Sequence, residues 1–195
     1  MIRFFDVIFS FLGLLILLPI MIIVSLMILL ESKGGVFYKQ LRVGKDNRIF
    51  KLYKFRSMTI GSDKKGLITV GSKDSRITKI GYFIRKYKID ELPQLLNVLI
   101  GEMSLVGPRP EVKKYVELYT KEEKQVLSVK PGITDYASIE YSEENILLGK
   151  SKNPEQTYIK EIIPAKIALN MKYINNKTII EYFRIIILTI IKILK

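Results

Sequence analysis

VIFSFLGLLILLPIMIIVSLMILL, residues 7–30, is an uninterrupted apolar run between Asp6 and Glu31. As a helix it would be about 36 Å long, which is enough to cross a bilayer. It is longer than the apolar part of a signal peptide, and no small-residue cleavage site follows it. We therefore predict a retained membrane helix, with a bend at Leu18 and Pro19 because proline removes a backbone donor near its centre.

The charges that flank this run leave its topology open. Arg3 precedes it, and Lys33, Lys39 and Arg42 follow it, so basic residues stand at both ends. A bent helix that crosses the membrane and a helix that enters and leaves on one face are both compatible with this pattern. A buried core helix of a soluble protein fits the length less well.

Composition limits the chemistry that the chain can perform. The 195 residues are 48% hydrophobic with a formal net charge of +13, which favours anionic partners such as membrane lipid or phosphorylated substrates. Without cysteine or histidine, the chain has no thiolate nucleophile, no histidine base and no common zinc ligand. Nucleic acid is not expected as a partner, because no helix-turn-helix, zinc-finger or single-strand-binding pattern is present.

Two further segments have a clear periodicity. Residues 36–58 alternate apolar with polar or basic positions around Gly44-Lys45-Asp46-Asn47, which predicts a basic β-hairpin. Residues 178–195 carry apolar side chains at helical spacing, so we predict an amphipathic C-terminal helix. Such a helix could lie in the lipid headgroup plane or pack on the protein core.

An acidic pair stands in KIDELPQLLNVLIGEM, residues 88–103. The pattern predicts a helix that Asp90 caps, with Glu91 in its first turn and the leucines on its buried face. A helix start favours carboxylates and also attracts phosphate. Taken alone, the pair is more typical of a simple helix cap. Basic residues that could bind a diphosphate are dispersed through the chain at Arg42, Lys54, Arg56, Arg85 and Arg109.

Three long blocks carry a family resemblance over nearly the whole chain. They are GGVFYKQLRVGKDNRIFKLYKFRSM (34–58), IRKYKIDELPQLLNVLIGEMSLVGPRPE (84–111) and KPGITDYASIE (130–140). In this order, behind an apolar helix with a central proline, they resemble the bacterial sugar transferase family, in its small catalytic-core form. These are monotopic phosphoglycosyl transferases, which begin glycan assembly on polyprenyl phosphate.

The resemblance implies a reaction and its residues. Asp90 would be the nucleophile that attacks a UDP-sugar, releases UMP and forms a covalent phosphosugar, which polyprenyl (undecaprenyl) phosphate then resolves. Glu91 would assist by metal or proton handling, with Mg²⁺ held by Asp90 and Glu91. Arg85 and Arg109 would bind phosphate, with Arg56 as a third phosphate-binding residue.

The resemblance also implies the architecture. We expect a mixed α/β fold that is mainly helical, with a small β-hairpin and interfacial amphipathic helices. Residues 1–32 would form a re-entrant membrane helix. Residues 33–195 would form a catalytic domain on the cytoplasmic face of the bacterial inner membrane, ending in the amphipathic helix 178–195. The sugar, the glycan pathway and the oligomeric state stay open.

Two departures and two rival functions accompany this interpretation. Leu18 stands where the family usually has serine, and Asp135-Tyr136-Ala137-Ser138 stands where it usually has Gly-Trp-Ala-Gln, which could alter specificity. One rival is a glycosyl transferase that releases UDP. The other is a membrane-tethered basic module that binds lipid or nucleic acid.

Overall fold

The computed structural model describes residues 1–71 and 74–194, except for the side chains at positions 64 and 65. The longest element is the N-terminal helix α1, Ile2–Glu31. The other helices and strands follow in this order: β1 Phe37–Val43, β2 Ile49–Phe55, α2 Lys79–Lys86, α3 Gln94–Ile100, β3 Ser104–Val106, α4 Lys113–Val116, β4 Gly132–Thr134, α5 Tyr136–Glu140, α6 Glu144–Lys150, α7 Pro154–Thr157, α8 Ile163–Asn175 and α9 Ile179–Leu194. The predicted fold class, mainly helical with a small β-hairpin, is confirmed.

The β-hairpin forms where the alternation predicted it. Strands β1 and β2 pair antiparallel, with Val43 opposite Ile49. The turn places Asp46 and Asn47 at φ 55° and 59°, a left-handed conformation that Asp and Asn tolerate better than other side chains with a Cβ. On its inner face, Phe50 packs with buried residues of α3 and the following turn. The hairpin therefore packs against α3, the helix that follows the acidic pair in the chain.

A second, two-stranded pairing brings distant segments together. Strands β3 and β4 run parallel, with Val106 opposite Thr134. Beyond the strands, Gly107 N donates to Thr134 O and Gly132 N to Pro108 O, both at 3.0 Å. The two chains approach so closely that neither glycine has room for a Cβ. This contact fixes the segment that carries Arg109.

Helix α1 is exposed along most of its length but is held at both ends. It is long and apolar enough to cross a membrane, and only 17% of its most apolar window is buried. Near its start, Arg3 Nη2 donates to Leu99 O at 2.9 Å. At its end, Glu31 accepts from Ile80 N at 3.1 Å. The backbone is helical through Pro19, and the bend at Leu18 and Pro19 stays a prediction.

The predicted start of the helix at Asp90 is wrong. Residues Ile89–Glu91 form a short 3-10 turn, and α3 begins only at Gln94 without a side-chain cap. The buried face of α3 is not its leucine side. It carries Asn97, whose Oδ1 accepts from Tyr53 N at 3.0 Å and whose Nδ2 donates to Lys51 O at 2.8 Å. These bonds to β2 satisfy a buried amide, which decides which side of the helix faces inward.

Helix α9 is observed as predicted, and residue 195 lies outside the described residues. Its core-facing residues are Tyr182 and Ile185, whereas Ile180, Ile187 and Ile191 of the predicted apolar stripe are exposed. Tyr182 OH donates to Asp6 Oδ1 at 2.9 Å and so joins α9 to α1. The exposed apolar stripe favours the headgroup-plane interpretation over packing on the core.

Candidate active site

The acidic pair lies on the 3-10 turn that follows α2. Lys88, at φ 55°, reverses the chain before Asp90 and Glu91. Asp90 is buried at 5% exposure, and the side chain of Glu91 is 12% exposed. Burying a carboxylate away from water is costly unless cations or hydrogen bonds stabilise it, and the surroundings of these two carboxylates differ in this respect.

Glu91 is surrounded by cations from two other segments. Lys54 Nζ on β2 donates to Glu91 Oε1 at 3.0 Å, and Arg109 Nη1 donates to Glu91 Oε2 at 3.0 Å. Arg109 Nη2 also donates to Oε1, which makes the pair bidentate. Burial opposes the ionisation of Glu91, but the charges of Arg109 and Lys54 outweigh it and hold its pKa well below the usual range. Glu91 therefore stays ionised.

Asp90 lacks such direct compensation. In residues 1–71 and 74–194 none of the described hydrogen bonds or ion pairs ends on its carboxylate. Burial, followed by the neighbouring charge of Glu91, raises the pKa of Asp90, while the charges of Lys54 and Arg85 oppose the rise. The environments thus move the pKa values of two adjacent carboxyl groups apart, an arrangement that gives two like groups different chemical roles.

The pKa values of Lys54 and Arg109 are also shifted, and Glu91 contributes to both shifts. Burial lowers the pKa of the Lys54 ammonium group, with Glu91 opposing the change. The charge of Glu91 raises the pKa of Arg109. The Arg109 side chain keeps 29% of its surface exposed, so it can contact a phosphate while it remains paired. Sequence interpretation named Lys54 only among the dispersed basic residues, because no local signal shows that it meets Glu91.

The other two predicted arginines occupy different places. Arg85 on α2 is half-buried, and its charge opposes the rise in the pKa of Asp90. Its Nη2 donates to Thr69 Oγ1 at 3.1 Å. Arg56 is buried, and its Nη2 donates to Ser32 O at 2.9 Å while Nη1 bonds Lys33 O. Arg56 thus fixes the chain at the end of α1, and its predicted role in phosphate binding stays a prediction.

Asp135 helps to position Arg109, although the sequence analysis noted it only as part of a departure from the usual family motif. It is fully buried, and its Oδ2 accepts from the main-chain N of Arg109 at 2.9 Å. Its Oδ1 accepts from Ser138 N and caps α5. On the other side of the same segment, Arg42 Nη1 donates to Pro110 O at 2.9 Å. A capping Asp after a strand was the available signal, but its bond to Arg109 depends on the β3–β4 pairing.

The acidic pair offers two carboxylates to a divalent cation such as Mg²⁺. Nowhere in the described part of the chain do three acidic side chains gather into a ready-made metal site. Mg²⁺ typically takes one or two carboxylates and completes its shell with water and substrate phosphate oxygens. Asp90 and Glu91 supply two carboxylates of the kind that such a substrate-completed site uses, and Asp90 is the one whose oxygens no described residue bonds.

Comparison with known proteins shows which family the chain resembles. The family model described as bacterial sugar transferase matches residues 1–195. The exopolysaccharide production protein PSS of Rhizobium leguminosarum bv. phaseoli is 39% identical over 197 residues, covering 97% of this chain and 92% of that protein. The UDP-glucose:undecaprenyl-phosphate glucose-1-phosphate transferase of Klebsiella pneumoniae is 36% identical over 193 residues, which are 97% of this chain.

A third relative resembles part of the chain. The UDP-N-acetylgalactosamine-undecaprenyl-phosphate N-acetylgalactosaminephosphotransferase of Aeromonas hydrophila is 41% identical over 140 residues, or 70% of this chain. The match covers 33% of that protein and 39% of the Klebsiella transferase, so both relatives are much longer. With a family match over its full length, this membrane-associated chain belongs to the bacterial sugar transferase family.

Proposed function

We propose that the chain transfers a sugar 1-phosphate from a UDP-sugar to polyprenyl phosphate and releases UMP. The names of the Klebsiella and Aeromonas relatives state reactions of this kind for those proteins. The observation that carries the proposal is the acidic pair itself. Asp90 is buried, and no described residue bonds its carboxylate, whereas Lys54 and Arg109 neutralise the adjacent Glu91. A carboxylate with a raised pKa among cations is suited to attack a charged phosphate.

In the first half-reaction, a carboxylate oxygen of Asp90 attacks the sugar-linked phosphorus of the donor. The bond from that phosphorus to the bridging oxygen breaks, and UMP leaves with the oxygen. The sugar phosphate is then held on Asp90 as an acyl phosphate. Arg109 and Arg85 would hold the phosphates in line, since positioning and charge stabilisation supply most of the catalysis of phosphoryl transfer.

In the second half-reaction, a phosphate oxygen of the polyprenyl carrier attacks the same phosphorus and expels the Asp90 carboxylate. The products are a polyprenyl diphosphate sugar and the free enzyme. Glu91, held ionised by Arg109 and Lys54, would position these cations and would not serve as a proton donor. Mg²⁺ bound at Asp90 and Glu91 would offset the charge of the diphosphate.

The proposal includes a re-entrant helix and a catalytic domain on one face of the membrane. Both ends of α1 bond to the same domain, Arg3 to Leu99 O and Glu31 to Ile80 N, which supports ends on one side. Because the chain has no cysteine, single variants can report on topology. We expect Phe4→Cys and Lys33→Cys to react with an impermeant maleimide only from the cytoplasmic side. Labelling of the two residues from opposite sides would exclude re-entry.

Product analysis tests the reaction class. The detergent-purified chain would be incubated with polyprenyl phosphate, Mg²⁺ and a panel of UDP-sugars, and UMP and UDP would be quantified. We expect UMP with at least one sugar and none with Asp90→Asn. Release of UDP would support the rival glycosyl transferase. Asp90→Asn with intact biological activity and no turnover in any sample would support the binding module.

A further inference from the structure

Asp6 is a buried acidic residue in helix α1, immediately before the apolar run of residues 7–30. It is 2% exposed. Ser10, one turn later on the same face, is also buried, so the first half of α1 turns polar side chains toward the domain. Burying an acidic group is costly unless it is bonded, so the contacts of Asp6 indicate its role.

One oxygen of Asp6 connects three elements of the fold. Oδ1 accepts from Ser104 Oγ and from Leu105 N, each at 2.9 Å, and both donors belong to β3. The same atom accepts from Tyr182 OH on α9 at 2.9 Å. Helix α1 is therefore bonded to β3 and α9 through a single side chain.

The bonds from β3 come from its outer edge. In the described part of the chain, β3 has β4 as its only neighbouring strand. Ser104 N donates to Pro131 O on the β4 side at 2.8 Å, and the next amide, Leu105 N, points to the other edge. An open edge leaves such amides without a strand partner. Asp6 takes the place that a third strand would have.

Strand β3 leads directly to Arg109. The strand ends at Val106, and the rings of Pro108 and Pro110 restrict the backbone on either side of Arg109. At the far end of this stretch, Asp135 Oδ2 accepts from Arg109 N at 2.9 Å. Two buried acidic residues thus hold the Arg109 segment, Asp6 through β3 and Asp135 through the main chain.

We propose that Asp6 is a positioning residue for the transfer reaction, which sets the place of the Arg109 guanidinium by holding β3 against the membrane helix. The inference deepens the proposed function and rests on it. The pairing of Arg109 with Glu91 is bidentate, so it depends on the exact position of the guanidinium. A displacement of about 1 Å in a site that orients phosphates can reduce the rate about a hundredfold.

UMP release by full-length variants in detergent tests this role. Asp6→Ala removes the acceptor of both β3 bonds, and we expect kcat to fall about ten- to a hundredfold. Asp6→Asn keeps one acceptor oxygen and should restore most of the loss. Ser10→Ala is the matched control, because the Ser10 hydroxyl donates to Val7 O of its own helix at 3.2 Å, and it should leave kcat unchanged. Unchanged kcat for Asp6→Ala would overturn the inference.

A double-variant cycle separates positioning from general support of the fold. Arg109→Lys keeps the positive charge but loses the bidentate geometry. If Asp6 acts through Arg109, adding Asp6→Ala to Arg109→Lys should lower kcat by less than about twofold further. A double variant that shows the product of the two single losses would overturn the positioning role.

Hydrogen exchange follows the Arg109 segment without using the reaction. We expect the amides of Leu105, Gly107 and Arg109 to exchange about three- to tenfold faster in Asp6→Ala, the effect of one lost hydrogen bond, and at the wild-type rate in Ser10→Ala. If the unfolding midpoint shows that Asp6→Ala does not fold, Ser104→Ala removes one of the same bonds from the β3 side and should act in the same direction.

These measurements distinguish this inference from the proposed function. Wild-type exchange rates in a folded Asp6→Ala chain, with normal UMP release, would sustain the proposed function and overturn the role of Asp6. A wild-type chain that releases no UMP would contradict the proposed function, and faster exchange in Asp6→Ala would still support the hold of Asp6 on the Arg109 segment.

Discussion

Asp90 and Glu91 are neighbours on one turn, yet the Glu91 side and the Asp90 side of that turn are different environments. On the Glu91 side, Lys54 approaches from β2 and Arg109 from the segment after β3, and both carboxylate oxygens accept hydrogen bonds from them. On the Asp90 side, the described cations Lys54, Arg85 and Lys88 act on the carboxylate through their charge and form no described hydrogen bond to it. The pKa of Glu91 is lowered, and the pKa of Asp90 is raised.

The difference separates structural support from reactivity. Glu91 gives up its reactivity to anchor the two cations, and this contributes to the stability of the site. Asp90 remains a buried charge with incomplete compensation, which destabilises the folded state and leaves its lone pairs available for attack. Functional sites often keep such destabilising groups because the reaction needs them. We therefore expect substitutions at Asp90 and Glu91 to change the stability of the folded state in opposite directions.

The largest effect is expected from Asp90→Asn. The neutral amide cannot form the acyl phosphate, so we expect UMP release to fall by about a thousandfold or more. Stability should change in the opposite direction, because the substitution removes a buried charge that no described residue pairs with directly. We expect the thermal midpoint in calorimetry to rise by about 2–4 °C, which is the shift for about 1 kcal/mol in a chain of this size.

Asp63→Asn serves as the control for this experiment, because Asp63 is exposed and outside the site. It should leave both the midpoint and UMP release unchanged. A lower midpoint for Asp90→Asn would show that Asp90 is a stabilising residue like Glu91, and the contrast would be lost.

The next largest effect is expected from Glu91→Gln, and it is a loss of stability. The substitution removes the carboxylate that bonds both Lys54 and Arg109 and leaves these buried cations without their direct counter-charge, which costs about 3–5 kcal/mol. We expect a midpoint about ten degrees lower at pH 7. Because the pKa of Glu91 is lowered on folding, its contribution is full at neutral pH and is lost in acid, so the gap from wild type should narrow below pH 4.5.

Glu117→Gln is the matched control for a glutamate in an ion pair. Glu117 pairs with Lys113 at 3.6 Å on the surface, with a side chain that is 62% exposed. Such pairs are worth little, so the midpoint should stay within about one degree of wild type. Equal losses for Glu91→Gln and Glu117→Gln would contradict the proposed anchoring role.

A smaller effect is expected from Asp135→Ala, which sharpens the comparison by changing how Arg109 is held. The variant loses the bond to Arg109 N and the cap of α5. We expect kcat to fall about ten- to a hundredfold through misplacement of the guanidinium. Asp135→Asn, which keeps one acceptor oxygen, should lie between. Unchanged kcat with reduced stability would show a capping role alone.

The sequence predicted most securely what is determined locally. The hairpin followed from its alternation and from the turn residues Asp46 and Asn47, and helix α9 followed from its apolar spacing. The start of α3 was wrong because Lys88 turns the chain and Asn97 bonds to β2, a strand more than 40 residues away. Local signals at Asp90 could not include these contacts.

The site residues likewise divide into those that the sequence motifs indicated and those that only tertiary contacts revealed. The family motifs pointed to Asp90, Glu91 and Arg109, but their spacing did not show that Arg109 pairs with Glu91. Lys54 and Asp135 became visible as partners only through tertiary packing. Residues that act through long-range contacts carry no local pattern by which they could be found.

The most direct test of the central claim is the mass of the intact protein after incubation with the UDP-sugar and Mg²⁺ in the absence of polyprenyl phosphate. We expect one added sugar phosphate, mapped to Asp90 by peptide analysis, with one equivalent of UMP released and no adduct on Asp90→Asn. An unmodified protein that still transfers sugar phosphate when the acceptor is supplied, or an adduct on another residue, would contradict the account.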